Sequence, residues 1–122
     1  MNRRILLIED DPDILDIINF ILTEEGFQVI TASTSDEVLE LEKIDADLVL
    51  LDLRLHGSST SGADLCVHLK SKESTKNLPV IIVSAEYNID KISLSCGADT
   101  YVRKPFDNQA LIETITELLN AS

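Results

Sequence analysis

Three acids, one hydroxyl and one ammonium stand directly behind short apolar runs in this chain. Glu9 and Asp10 follow Arg4 to Ile8, Asp52 follows Asp47 to Leu51, Ser84 follows Pro79 to Val83, and Lys104 lies just past Thr100 to Val102. If those runs lie side by side as parallel strands, all five side chains converge on one rim. Carboxylates crowded together raise one another's pKa unless a cation neutralises them. An oxygen-only donor set suits a hard divalent ion, Mg2+ or Mn2+, which needs only a few carboxylate contacts and keeps several waters. A divalent ion and Lys104 would together offset the oxygens of a phosphoryl group, leaving one carboxylate to act as nucleophile toward phosphorus. The chain carries neither GxGxxG nor GxxxxGK[ST], so a nucleotide cradle is unsupported.

The intervening segments read as helices. Asp11-Pro12 offers an N-cap followed by proline at the first helical position. Ile14, Ile18 and Ile21 fall on one side of that helix, Ile17 and Leu22 widen its apolar stripe, and Gly26 ends it. A second strand is expected over Phe27 to Ala32. The capping-box spacing Thr34-Ser-Asp-Glu37 opens a second helix, with Val38, Leu39 and Leu41 apolar. After Gly62 a third helix turns Leu65, Cys66 and Leu69 inward and leaves His68 outside. A short fourth helix covers Ile89 to Ser95, and Asp107 caps a fifth whose Leu111, Ile115, Leu118 and Leu119 face a sheet. Alternating strands and helices imply an α/β fold, a doubly wound three-layer sandwich. In such folds ligands sit outside the carboxyl ends of the strands, where the five residues above stand.

Bulk properties narrow the functional classes. The 122 residues make one domain, and 44% hydrophobic content is that of an ordinary globular chain. No apolar run approaches the roughly 20 residues of a membrane span, and Met1-Asn2-Arg3-Arg4 leads into a run too short for a signal-peptide core. These features predict a cytoplasmic protein. Ten basic residues against 22 acidic ones give a net charge of −12, which repels nucleic-acid backbones and anionic lipid. Cys66 and Cys96 lack CxxC spacing and a nearby histidine, and they read as reduced, half-buried thiols. Asp11 and Asp13 read as acids that favour the start of the first helix.

The stretches ILLIEDD, LVLLDLRL, PVIIVSA and CGADTYVRKPF, in this order, resemble response-regulator receiver domains of two-component signalling. The resemblance runs from Arg4 to Leu119. It implies a five-stranded parallel, flavodoxin-like (βα)5 sheet of strand order 2-1-3-4-5, and a single receiver over residues 1–122 with no effector domain in this chain. It implies that Asp52 accepts the phosphoryl group from a histidine kinase or histidine phosphotransfer protein, and that the domain catalyses only its own phosphorylation and dephosphorylation. Glu9 and Asp10 would hold Mg2+ with Asp52 and the Arg54 backbone carbonyl. Lys104 would pair with Asp52 and then with the phosphoryl group. Ser84 would bond a phosphoryl oxygen, with Tyr101 swinging inward as Ser84 moves. The Lys104-Pro105 bond is usually cis in this family. Arg54 and Glu86 occupy positions understood to tune phosphoryl lifetime, and an ion pair between them would restrict the attacking water.

The resemblance also marks a departure. His56 stands where relatives commonly have proline, and Gly62 lies farther on than their glycine, so the loop from His56 to Gly62 is longer. Helix five has no Lys or Arg from Asp107 to Ser122, which argues against the salt-bridged dimer of winged-helix regulators. The expected state is a monomer or weak dimer that controls a downstream protein target, with no direct contact to nucleic acid or membrane. An alternative is a degenerate receiver that acts unphosphorylated as an interaction module. A flavin-binding relative would need stacking aromatics, and the chain has two Tyr, three Phe and no Trp. An aspartyl phosphatase would carry DxD, and Asp52-Leu53-Arg54 lacks the second acid.

Overall fold

The computed structural model describes residues 3–121; Met1, Asn2 and Ser122, the first two part of the stretch weighed as a signal peptide, lie outside the described residues. Five strands, β1 (Arg4–Ile8), β2 (Gln28–Ala32), β3 (Leu48–Asp52), β4 (Val80–Ser84) and β5 (Thr100–Arg103), alternate with five helices, α1 (Pro12–Glu24), α2 (Ser35–Leu39), α3 (Gly62–Ser71), α4 (Ile89–Cys96) and α5 (Asn108–Ala121). The strands form one parallel sheet in the order β2-β1-β3-β4-β5. Among the described residues no helix is long and apolar enough to cross a membrane.

Side chains alternate across a strand, and β3 and β4 are buried at every position because both faces are covered. Ile5, Leu7, Leu48, Leu50, Ile81 and Val83 pack with Ile18, Leu22, Leu111 and Ile115 of α1 and α5. The alternate set, Leu6, Ile8, Val49, Leu51, Val80 and Ile82, packs with Leu65, Cys66 and Leu69 of α3 and with Ile89 and Cys96 of α4. Asp52 falls in the same alternation as Leu48 and Leu50, and Glu9 in that of Ile5 and Leu7. Both acids therefore extend rows of the α1/α5 face.

Helix ends follow the sequence. Asp11 accepts from the amides of Asp13 and Ile14, at 2.9 and 3.4 Å, with Pro12 at the start of α1. Gly26, at φ 93°, provides the left-handed turn that leads into β2. In α2, Thr34 accepts from the Glu37 amide, but the Glu37 carboxylate reaches back to Ser33, one residue before the cap. Asp107 accepts from the Ala110 amide at the start of α5.

Some expectations need correction. Ile17 is 57% exposed and does not widen the buried stripe of α1, which consists of Ile18 and Leu22 flanked by Ile14 and Leu15. The apolar residues named at α2, for which no burial was expected, divide: Val38 is buried, and Leu39 and Leu41 are exposed beside a helix of only five residues. Cys66 and Cys96 are fully buried, and burial pushes the Cys66 thiol up to about 12, so it is inert as a nucleophile. Strand bounds shift by a residue: β2 starts at Gln28, and β3 includes Asp52 itself.

Gly62 opens α3 directly beneath the end of β3. A Cβ placed there would lie 2.0 Å from the Asp52 carbonyl oxygen and 2.8 Å from Leu53 Cα, so the close approach requires glycine. Gly62→Ala should therefore lower stability by on the order of 3 kcal/mol, read as a drop in urea midpoint at unchanged m-value.

Candidate functional site

The backbone ladder continues past the strands at the carboxyl rim. The Glu9 amide donates to the Ala32 carbonyl at 3.0 Å, and the Lys104 amide donates to the Ser84 carbonyl at 2.9 Å. These bonds fix the first residue beyond β1 and beyond β5 as firmly as the strands themselves. Asp52 needs no such extension, because it is the last residue of β3.

The three acids meet as the sequence suggests. One carboxylate oxygen from each of Glu9, Asp10 and Asp52 lies within 4.8 Å of the others. Glu9 and Asp52 are buried, at 2% and 8% exposure. Lys104 Nζ sits 2.8 Å from Glu9 Oε1 and 3.8 Å from Asp52 Oδ2. The ammonium thus bridges both acids but is closer to Glu9, whereas the expectation centred it on Asp52. The Lys104-Pro105 bond is cis.

Burial raises the Glu9 carboxyl to about 7, with the Asp52 carboxylate pushing the same way and Lys104 pulling against it. Burial also works to raise Asp10, yet Asp10 is lowered overall. Its Oδ2 accepts the His56 amide at 3.1 Å and lies 2.7 Å from His56 Nδ1, and these contacts outweigh desolvation.

Three carboxylates against one ammonium leave excess negative charge, and every candidate donor is oxygen. This donor set fits a hard divalent cation with part of its coordination left to water. The acids open onto a cleft of about 630 Å³ that also takes in Arg54, His56, Ser84 and Glu86. Arg54 Nε is hydrogen-bonded to Glu86 Oε1, so the charge pair expected across the mouth is formed. Ser84 is buried, and its Oγ accepts the Glu86 amide at 3.1 Å. It orders the turn after β4; α4 begins later, at Ile89. Tyr101 is partly exposed, with the Arg103 guanidinium 5.8 Å from its ring centre.

Two features escaped the sequence reading. His56 stands where relatives commonly have proline, and the fold places it on Asp10. Arg103 donates from Nη1 to the Glu86 and Tyr87 carbonyls, at 3.2 and 3.1 Å, and so holds the loop after Ser84 against β5. The first depends on a contact 46 residues apart and the second on strand register, and neither has a local signal. His68 is exposed on α3, away from the acids.

The loop from His56 to Gly62 also has a visible role. Ser58 Oγ accepts the Ser35 amide at 2.9 Å, Ser35 Oγ donates to the Thr60 carbonyl at 3.0 Å, and the Ser59 amide donates to Asp36 at 3.1 Å. Its small polar residues fasten the loop to the start of α2. A Ser-rich stretch able to meet Thr34-Ser35-Asp36 was the available clue.

Comparison with known proteins gives a consistent result. A family model described as the response regulator receiver domain matches residues 5–116. The sensory transduction protein RegX3 of Mycolicibacterium smegmatis is 40% identical over 118 residues, covering 94% of this chain and 50% of that protein. The phosphate regulon transcriptional regulatory protein PhoB of Escherichia coli is 35% identical over 122 residues, covering 98% of this chain and 52% of that protein. The chain thus spans about half the length of these curated relatives. A CheY-like receiver domain protein from Methanospirillum hungatei superposes with a TM-score of 0.87 at 31% identity, covering 99% of this chain and 96% of that one.

The raised Glu9 pKa sets a sign for pH dependence in metal-free protein. Between about pH 4.5 and 7 folded Glu9 holds a proton that the unfolded chain has released, so this group's stabilisation is full below 4.5 and lost as pH rises through 7. Urea melts in chelator should show Glu9→Gln flattening that fall and exceeding wild type in stability at pH 7. A steeper fall in the variant would contradict the assignment.

Proposed function

The chain belongs to the response-regulator receiver-domain family, and from that membership we propose that Asp52 is its phosphoacceptor, phosphorylated in a divalent-ion-dependent reaction by a histidine kinase or a histidine phosphotransfer protein. The observation that carries this reading is the meeting of Glu9, Asp10 and Asp52 at the rim, with Lys104 reaching both buried acids. Glu9, Asp10, Asp52 and the Arg54 backbone carbonyl are assigned as the holders of Mg2+ or Mn2+, on the strength of the oxygen-only donor set. When bound, the ion supplies positive charge against the phosphoryl oxygens.

Asp52 attacks the phosphorus of a phosphohistidine. A new P–O bond forms to its carboxylate, the P–N bond breaks, and the electron pair leaves with the imidazole nitrogen. Lys104 stands close enough to turn from Glu9 toward the incoming phosphoryl group, and Ser84, whose hydroxyl lines the same cleft, donates to one of its oxygens. Once Ser84 turns to that oxygen it no longer orders the turn ahead of α4 in the same way. Tyr101, in β5 beside that turn, then moves inward and alters the surface that a downstream protein target reads. Reversal is hydrolysis of the acyl phosphate, and the Arg54–Glu86 pair narrows the path of the attacking water.

With acetyl phosphate and Mg2+, intact-mass spectra should show one added phosphoryl group on the wild-type chain and none on Asp52→Asn. An unmodified wild type would instead favour an unphosphorylated interaction module. Replacing both Arg54 and Glu86 by alanine should speed dephosphorylation, followed as loss of that mass; an unchanged rate would contradict the proposed restriction of water.

A further inference from the structure

Ser84, Arg54 and Arg103 each grip the segment that leads from β4 to α4. Ser84 Oγ accepts the Glu86 amide, Arg54 meets the Glu86 carboxylate, and Arg103 Nη1 donates to the Glu86 and Tyr87 carbonyls at 3.2 and 3.1 Å. Asn88 caps α4 without a side-chain hydrogen bond, so the start of that helix leans on these outside contacts. Arg103 stands opposite Ser84 in the register of β4 and β5. It shares the α4 side of the sheet with Tyr101, because Val102 between them packs toward α1 and α5. Its guanidinium carbon lies 5.8 Å from the centre of the Tyr101 ring. One side chain thus holds both the loop that Ser84 orders and the ring beside it.

Two movements make up the switch described above: Ser84 Oγ leaves the Glu86 amide for a phosphoryl oxygen, and Tyr101 turns inward. Arg103 opposes both. Glu86 and Tyr87 cannot shift without breaking charge-assisted bonds to a residue fixed in β5, and the cation over the ring favours its outer position. We propose that Arg103 is a latch on the resting state, a positioning residue that sets how readily phosphorylation of Asp52 turns Tyr101 inward. The proposal rests on the reading that Asp52 is the phosphoacceptor and that Ser84 and Tyr101 move together. Contacts made in only one of two states bias the balance between them, so loss of the latch raises the share of the switched state before any phosphoryl group arrives. By linkage, a phosphoryl mimic then binds more tightly. Lysine keeps the charge but lacks the planar fork and stacking face of a guanidinium.

The test uses the full chain in Mg2+, with beryllofluoride as the phosphoryl mimic. The sequence has two tyrosines, so a Tyr87→Phe background leaves Tyr101 as the only tyrosine ring and keeps the backbone carbonyl that Arg103 holds. Saturation with beryllofluoride should move the carbon–proton signals of that ring, which defines a line from resting to switched state. Arg103→Ala should place the unliganded ring part-way along this line and tighten beryllofluoride binding on the order of threefold or more. Arg103→Lys should fall between that variant and the parent. Arg103 is exposed, so both variants are compatible with folding, and amide spectra verify it. A ring that stays at the resting end in Arg103→Ala, or binding no tighter than in the parent, would overturn the inference and leave the phosphoacceptor reading standing. A parent ring that beryllofluoride does not move would overturn the switch reading and the inference with it.

Discussion

Negative charge concentrated at the carboxyl rim of a parallel sheet is the constraint on which the rest of the molecule depends. Like charges within a few ångströms repel, and burial strengthens the repulsion by removing water. The fold holds them there because Glu9 and Asp52 continue hydrogen-bonded strands whose apolar side chains are locked in the core. Lys104 offsets part of the charge and Glu9 absorbs part by holding its proton more tightly. What remains is a standing attraction for a cation and, through it, for a phosphoryl group.

The surrounding parts keep that arrangement in place. Asp11 caps α1 immediately after the acid pair, so the direction of the chain leaving β1 is fixed where the site needs it. Gly62 lets α3 start against the backbone of Asp52 itself. The loop between them is fastened to α2 through Ser58, Ser59 and Thr60, giving the segment that carries Arg54 and His56 a second anchor away from the cleft. On the far side, Arg103 ties the loop after Ser84 to β5, so displacement of that loop is felt directly by the strand that carries Tyr101.

Strand ends were readable because the physics is local: a central parallel strand is apolar throughout, so an acid, hydroxyl or ammonium that ends the run marks the rim. The caps of α1 and α5 were readable for the same reason, since an N-cap is satisfied within three residues. Ile17 shows where local pattern fails. A helix on a sheet buries a narrower stripe than its apolar content suggests, and sequence does not say how far round the neighbours reach. The contact of His56 with Asp10, the closer approach of Lys104 to Glu9 and the serine contacts of the loop were not readable, because each depends on residues distant in sequence and brought together only by the fold. Cys66 and Cys96 were misjudged in degree: α3 and α4 pack closely enough over the sheet to enclose both thiols.

The measurement that reaches the central claim most directly is chemical location of the phosphoryl group. Protein treated with acetyl phosphate and Mg2+ is reduced with borohydride, which converts an aspartyl phosphate to homoserine, and its peptides are sequenced by mass spectrometry. Homoserine is expected at position 52. Homoserine at another acid, or at none after the intact protein has gained a phosphoryl group, would contradict it.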